Sequence, residues 1–263
     1  MKPQISIDNE VIHSSPEVVL FDKDGTLIDI HHYWVSMINI RSEYIVDRWF
    51  PEVSNKQEIK YKLIETMGVD VQSGKMNSNG PVGVKPRPFI VHVTADVVRN
   101  MGCEISDDDM EDIFLEVDTE TSKNMLPLLK LLPGVKELLM KLKSFDIQTV
   151  IVSTDITSRA RKAMQALEMD QYFAEIIGGD LVKNAKPASD LAELALDKVG
   201  CMASSAIVIG DHPVDMLMGK NAGIDVNIGV LTGLSRKKSF NECQCNIVTD
   251  LKSINVESLQ CCY

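Results

Sequence analysis

Asp22 and Asp24 stand two residues apart in Asp22-Lys23-Asp24-Gly25-Thr26, directly after the apolar run Val18-Val19-Leu20-Phe21. A short apolar run of this kind reads as a parallel strand buried on both faces, and the carboxylates sit where it ends. Side chains two apart on an extended segment point the same way, at roughly 6–7 Å spacing. One carboxylate can then act as nucleophile while its neighbour moves a proton, and their joint negative charge calls for a divalent cation. Gly25 permits a sharp turn, and the Thr26 hydroxyl can fix the loop. An isolated Asp-x-Asp is most often a surface turn; one that closes a hydrophobic strand and runs on into Gly-Thr is a specific signal.

Three further strand ends carry polar groups: Ser153-Thr154-Asp155, the Lys186-Pro187 loop, and Asp211 with Asp215. Each alone has a plain alternative. Ser153 could cap the next helix, Lys186 could be a solvated loop lysine, and Asp211 could be an N-cap. Their recurrence at successive strand ends is what points to one shared site.

The elements that must position these residues follow from the hydrophobic pattern. Pro133-Gly134 opens a helix with Val135, Leu138, Leu139 and Leu142 on one face. Then come a strand over Ile147–Val152, a helix from Thr157 to Met169, a strand at Glu175–Ile177, and a helix over Ala188–Val199. Ala206–Ile209 is the next strand, a helix runs from Pro213 to Gly223, and Asp225–Val230 and Asn246–Val248 are the last two strands. Alternating strands and helices predict an α/β fold, a doubly wound, Rossmann-like parallel sheet covered on both faces. In such sheets the site lies at the carboxyl ends of the strands.

Residues 31–131 interrupt this pattern and predict an inserted α-helical domain over the strand ends, leaving 1–30 and 132–263 as the core. Trp34, Met37, Ile38, Ile45 and Trp49 keep a helical period. Ser54-x-x-Gln57 has the form of a capping box ahead of Ile59, Leu63, Ile64 and Met67, with Gly68 as the stop. Pro88 starts a segment carrying Ile90, Val93, Val97 and Met101, and Ser106 caps another with Met110, Ile113, Phe114 and Val117 inward. Val71–Pro88 reads as a long loop, a kind often functional or mobile.

At 263 residues and with 44% hydrophobic and 25% charged residues, the chain has room for a large core and a second domain. A net charge of −11 argues against a nucleic-acid partner. An anionic substrate must then be drawn in by local positive charge or metal. Met1 to Glu10 has no signal-peptide pattern, and no apolar run approaches the ~20 residues of a membrane span. Cys243-x-Cys245 and the adjacent Cys261-Cys262 lack the usual zinc spacing, so all six cysteines read as reduced thiols of a cytoplasmic protein.

The chain closely resembles the haloacid dehalogenase-like hydrolase superfamily, in its phosphoglycolate-phosphatase-like branch with a helical cap. The resemblance rests on Phe21 to Leu27, Val150 to Ser153, Lys186 to Asp190, and Ile209 to Asp215 followed by Asn221-Ala222-Gly223. Leu132 to Leu139 and Gly229 to Gly233 also fit that branch, whereas His212 replaces a small hydroxyl residue common there. The resemblance implies that Asp22 attacks phosphorus and that Asp24 protonates the leaving oxygen and then activates water. It implies Mg²⁺ on the Asp22 carboxylate, the Asp24 backbone carbonyl and Asp211, with Asp215 behind them. Ser153 would donate to a phosphoryl oxygen, Lys186 would offset charge, and backbone N–H groups of the Asp22–Asp24 turn and of Thr154 would complete the phosphate cradle.

Dehalogenases lack the second aspartate, and P-type ATPases carry threonine there, so Asp24 points to a phosphatase or a phosphomutase, and the leading expectation is a phosphatase of a small phosphorylated metabolite. Phosphoglycolate or a sugar phosphate would be such a substrate. A phosphosugar mutase is the alternative, since the same residues can return the phosphoryl group to a second oxygen. A phosphate-sensing scaffold would be favoured by loss of Asp22, Lys186 or Asp211, and none is lost. Val71–Ala95 holds Lys75, Lys85 and Arg87 without one acid, a local basic window that could hold a second anionic group or simply face solvent. His31-His32, at the hinge, could touch the leaving group or pack. Glu104–Glu120, with nine acids and no base, reads as a solvated helix face. The expected protein is a monomer or homodimer.

Overall fold

Val18, Val19, Leu20 and Phe21 have no exposed surface, as residues of a strand enclosed on both faces must. The structure, a computed structural model, describes residues 2–78, 80–83 and 85–258. It divides into two units, 1–29 with 131–263, and 30–130. In chain order, β1 (Pro3–Ile7), β2 (Glu10–Ser14) and β3 (Val18–Phe21) open the first unit. The inserted unit holds α1 (Ile30–Trp49), α2 (Lys56–Met67), β4 (Val69–Asp70), β5 (Lys75–Met76), α3 (Arg87–Arg99) and α4 (Asp107–Lys123). The first unit resumes with α5 (Val135–Ser144), β6 (Gln148–Val152), α6 (Thr157–Ala166), β7 (Glu175–Ile177) and α7 (Asp190–Val199). It closes with β8 (Ala206–Gly210), α8 (Pro213–Asn221), β9 (Val226–Val230), β10 (Asn246–Val248) and β11 (Ile254–Ser258).

Six of these strands make one parallel sheet in the order β10-β9-β8-β3-β6-β7. The chain leaves β3 toward β6 and β7, then returns to the other side of β3 for β8, β9 and β10. The strand order therefore reverses at β3, and the crevice at its carboxyl end is the switch point where ligands bind in such sheets. Val18 and Leu20, Val150 and Val152, and Ala206 and Val208 pack on one face against Leu191, Ala192 and Ala195 of α7 and Met216 and Met218 of α8. The intervening Val19, Phe21, Ile151, Ile207 and Ile209 are just as buried, and α5 also contacts β6. This is the doubly wound α/β core.

A second sheet of three antiparallel strands, β11-β1-β2, uses the first residues of the chain and corrects the reading of β10 as the last strand. Asp8 and Asn9 both take positive φ, 49° and 67°, forming the two-residue hairpin turn that such residues favour.

In the inserted unit α1, α2, α3 and α4 pack each against the next, and α4 returns to α1. Ser106 caps α4 as expected, its side chain accepting from the Asp109 N–H while Asp109 accepts in return. The Ser54 capping box does not form: α2 begins after Asn55, whose amide donates to Glu58 at 3.2 Å. The expected loop Val71–Pro88 begins inside a short hairpin, β4 with β5, whose turn is held by Asp70 accepting from the Gln72 and Ser73 N–H groups. The acid-rich α4 is only partly a solvated face. Asp118 binds the buried Arg41, which stacks 4.2 Å from the Phe114 ring, and Asp118 and Glu111 both bind Arg87.

Cys103, Cys201, Cys243 and Cys245 are free thiols, and Cys261 and Cys262 lie outside the described residues. Among the described residues no helix is long and apolar enough to cross a membrane.

Candidate active site

Asp22, Ser153 and Asp211 follow the last residues of β3, β6 and β8, three neighbouring strands. Asp22 still belongs to the ladder, because its N–H donates to Ile209 O at 2.9 Å. That bond pins the first carboxylate and withdraws its N–H from any phosphate cradle. The chain then turns at Gly25, φ 94°, whose N–H donates to Ile28 O at 2.8 Å and whose carbonyl accepts from the Thr232 hydroxyl.

Lys186 enters from the loop ahead of α7. Its ammonium donates to Asp22 Oδ1 and Asp215 Oδ1, each at 2.7 Å, with only 1% of the side chain exposed. Burial works against its charge, but Asp215 and Asp22 outweigh burial and hold its pKa above the ordinary lysine value. Asp215 sits in the first turn of α8 and also accepts from the His212 N–H at 3.0 Å. His212 is the N-cap residue: its Nδ1 accepts from the Val214 N–H at 3.3 Å. An accepting Nδ1 carries no proton, in keeping with burial, which pushes the His212 pKa down.

Asp211 is buried, and its Oδ2 accepts from the Leu234 N–H at 2.8 Å. Burial, then the charges of Asp22 and Asp215, drive its carboxyl well above the usual range. Burial also raises Asp22, opposed by Lys186 and reinforced by Asp215. These three carboxylates bring ligand atoms within 4.8 Å of one another. Gly25 and Gly233 leave room around Asp211: a Cβ on Gly25 would come 2.6 Å from the Asp211 carboxyl carbon, and one on Gly233 would overlap its Oδ2. An all-oxygen, anionic and mutually repelling donor set of this kind fits a hard divalent cation such as Mg²⁺.

Asp24 stands beside a second buried ammonium. Lys23 Nζ lies 2.8 Å from each Asp24 carboxylate oxygen and 3.3 Å from Asp155 Oδ2, and Asp155 in turn binds Arg159. Burial raises the Asp24 pKa, Lys23 opposes it, and Asp155 adds to it. Five carboxylates (Asp22, Asp24, Asp155, Asp211 and Asp215) thus face three cations (Lys23, Lys186 and Arg159). Sequence patterns give little warning of Lys23 and Arg159; the available signal is a lysine set between two aspartates that a buried strand delivers together.

Ser153 is buried, and its Oγ accepts from the Asp155 N–H at 3.1 Å, which leaves its own hydrogen to donate. Thr154 beside it is exposed. Of the other expected substrate contacts, His31, Lys75, Lys85 and Arg87 belong to the inserted unit. His31 Nδ1 accepts from the Met76 N–H at 3.1 Å, Lys75 and Lys85 are exposed, and Arg87 is engaged by Glu111 and Asp118.

A family model described as haloacid dehalogenase-like hydrolase matches residues 84–229, more than half of the chain. That span holds Ser153, Lys186, Asp211 and Asp215 and begins after Asp22 and Asp24. The chain is 29% identical over 135 residues to a phosphorylated carbohydrates phosphatase of Thermotoga maritima, across 51% of this chain and 62% of that protein. It is 28% identical over 205 residues to the pyrophosphatase PpaX of Listeria monocytogenes, across 78% of each. In fold it is similar to the crystal structure of a "predicted phosphoglycolate phosphatase" from Haemophilus somnus, with TM-score 0.67, 19% identity, and 89% and 94% of the two chains covered.

Proposed function

The chain belongs to the haloacid dehalogenase-like hydrolase family, and on that premise we propose that it is a Mg²⁺-dependent phosphatase of a small phosphomonoester, working through an aspartyl-phosphate on Asp22. The observation that carries this reading is the position of Lys186, 2.7 Å from both Asp22 and Asp215. A nucleophilic carboxylate acts in its ionised form, and in a buried cluster that repels its charge this ammonium favours that form.

An Asp22 oxygen attacks phosphorus while the bond from phosphorus to the leaving oxygen breaks, and Asp24 gives that oxygen its proton. Asp24, now ionised, takes a proton from water; the water oxygen bonds to phosphorus and the Asp22–phosphorus bond breaks, restoring the Asp22 carboxylate and the protonated Asp24. The raised pKa of Asp24 suits the first of these roles. Ser153 donates to a phosphoryl oxygen, joined by the Thr154 backbone, and Lys186 balances charge on nucleophile and phosphate. Asp22, Asp211 and the Asp24 carbonyl would hold Mg²⁺, with Asp215 outside them. The chemistry a bound Mg²⁺ supplies is Lewis-acid stabilisation of phosphoryl charge.

The names of the relatives, which include a phosphorylated carbohydrates phosphatase and a pyrophosphatase, support a small phosphorylated compound as substrate. Lys75, Lys85 and His31 are candidates for holding a remote part of it, and Arg87 joins them only if it leaves its two carboxylate partners. A panel of sugar phosphates, phosphoglycolate and pyrophosphate, assayed with Mg²⁺ for phosphate release, tests the proposal. Isomerisation of a sugar phosphate without phosphate release would instead make the protein a mutase.

A further inference from the structure

Lys23 has no exposed side-chain surface, although it lies between two aspartates where a solvated lysine is the ordinary expectation. A buried ammonium is tolerated only where carboxylates or hydrogen bonds replace water. Here Asp24 gives it both oxygens at 2.8 Å and Asp155 gives it one at 3.3 Å.

Asp155 is itself immobilised. Its Oδ1 accepts from Arg159 Nη1 at 2.9 Å and from the Ile156 N–H at 2.8 Å, its N–H donates to Ser153 Oγ, and its carbonyl accepts from the Gly179 N–H at 2.9 Å. Arg159 is buried on the first turn of α6. The chain of contacts Asp24–Lys23–Asp155–Arg159 therefore runs from the loop after β3 to the base of α6. With both oxygens within reach of one anchored ammonium, the plane of the Asp24 carboxyl group is set, and when one oxygen carries the proton the other stays on Lys23.

We propose that Lys23, anchored by Asp155 and Arg159, is a positioning residue that fixes the orientation of the Asp24 carboxyl group for proton transfer to the leaving oxygen. The proposal rests on the phosphatase reading of Asp24. Proton transfer demands a defined place for the donor, because small displacements cost large factors in rate.

The test compares wild type, Lys23→Met and Asp155→Asn on two substrates with Mg²⁺: an alkyl phosphate, whose leaving oxygen needs a proton, and p-nitrophenyl phosphate, whose leaving group needs little help. The value read is kcat/KM, which covers the steps through leaving-group departure. Lys23→Met should lose roughly tenfold or more on the alkyl ester beyond any loss on the aryl ester. Asp155→Asn, which loosens Lys23 without removing it, should show the same split in smaller degree. It carries the test alone if Lys23→Met does not fold by circular dichroism. Equal losses on both esters would make Lys23 a structural residue only, and wild-type values would make it dispensable; either overturns the inference while an active wild type leaves the phosphatase reading standing. A wild type inactive on every phosphomonoester overturns both.

Discussion

The Lys186 ammonium lies 2.7 Å from Asp22 Oδ1, joining the loop ahead of α7 to the end of the central strand across most of the sequence. It makes the same contact with Asp215, so one buried cation serves two carboxylates. Replacing Lys186 with Met should abolish phosphatase activity. It should also lower the unfolding free energy by about 3 kcal/mol or more in urea denaturation, because both carboxylates keep their burial and lose their partner. Loss of activity with unchanged stability would mean that the pair does not hold the metal-free fold.

The raised pKa of Asp211 has a consequence for stability. Its folded-state value exceeds its unfolded one, so the folded state holds the proton more tightly. The resulting stabilisation is present at low pH and fades as pH rises from the ordinary carboxylate range through the raised value. Asp24 and Asp22 shift in the same direction. In chelator, the melting temperature of wild type should therefore fall, relative to that of Asp211→Asn, as pH rises from the ordinary carboxylate range, about 4, to neutrality and above. Added Mg²⁺ should raise the melting temperature of wild type and leave Asp211→Asn, and Gly233→Ala with its crowded carboxylate, nearly unmoved. An equal Mg²⁺ response in all three would count against Asp211 as a ligand.

Lys75 and Arg87 should separate in mutagenesis. Arg87→Ala removes the partner of Glu111 and one of the partners of Asp118, so it should cost about 1–3 kcal/mol of stability. Lys75 is exposed on β5, and Lys75→Ala should leave the melting curve in place. If Lys75 holds a remote anion, its loss should lower kcat/KM roughly tenfold for the natural substrate and hardly at all for an aryl phosphate. Equal losses on both substrates, or none, would assign Lys75 to solvent.

Much of the core was legible because its strands are buried on both faces, which writes them as unbroken apolar runs. Val18–Phe21, Val150–Val152 and Ala206–Ile209 are such runs, and the polar residues that end them meet at the switch point. The three-stranded sheet was less visible: β2 is half exposed and β11 is paired with a strand at the opposite end of the chain. Its one local sign was the Asp8-Asn9 turn. Strands of two residues, as in β4 and β5, leave no period to read. Lys23 and Arg41 stayed hidden for another reason. Each is a buried cation that also meets a carboxylate distant in sequence, Asp155 for one and Asp118 for the other. Ser54 offered a capping pattern one residue before Asn55, which takes the N-cap position of α2 instead.

The covalent role of Asp22 is open to direct observation. Wild-type protein mixed with Mg²⁺ and a substrate from the phosphate-release panel, quenched in acid within the first turnover and digested, should carry one phosphoryl group on the peptide containing Asp22. The isosteric Asp22→Asn variant, folded and stable, should carry none and release no phosphate, since an amide is not an anionic nucleophile. Near wild-type turnover in Asp22→Asn, or a phosphoryl group found on another residue, would contradict the mechanism.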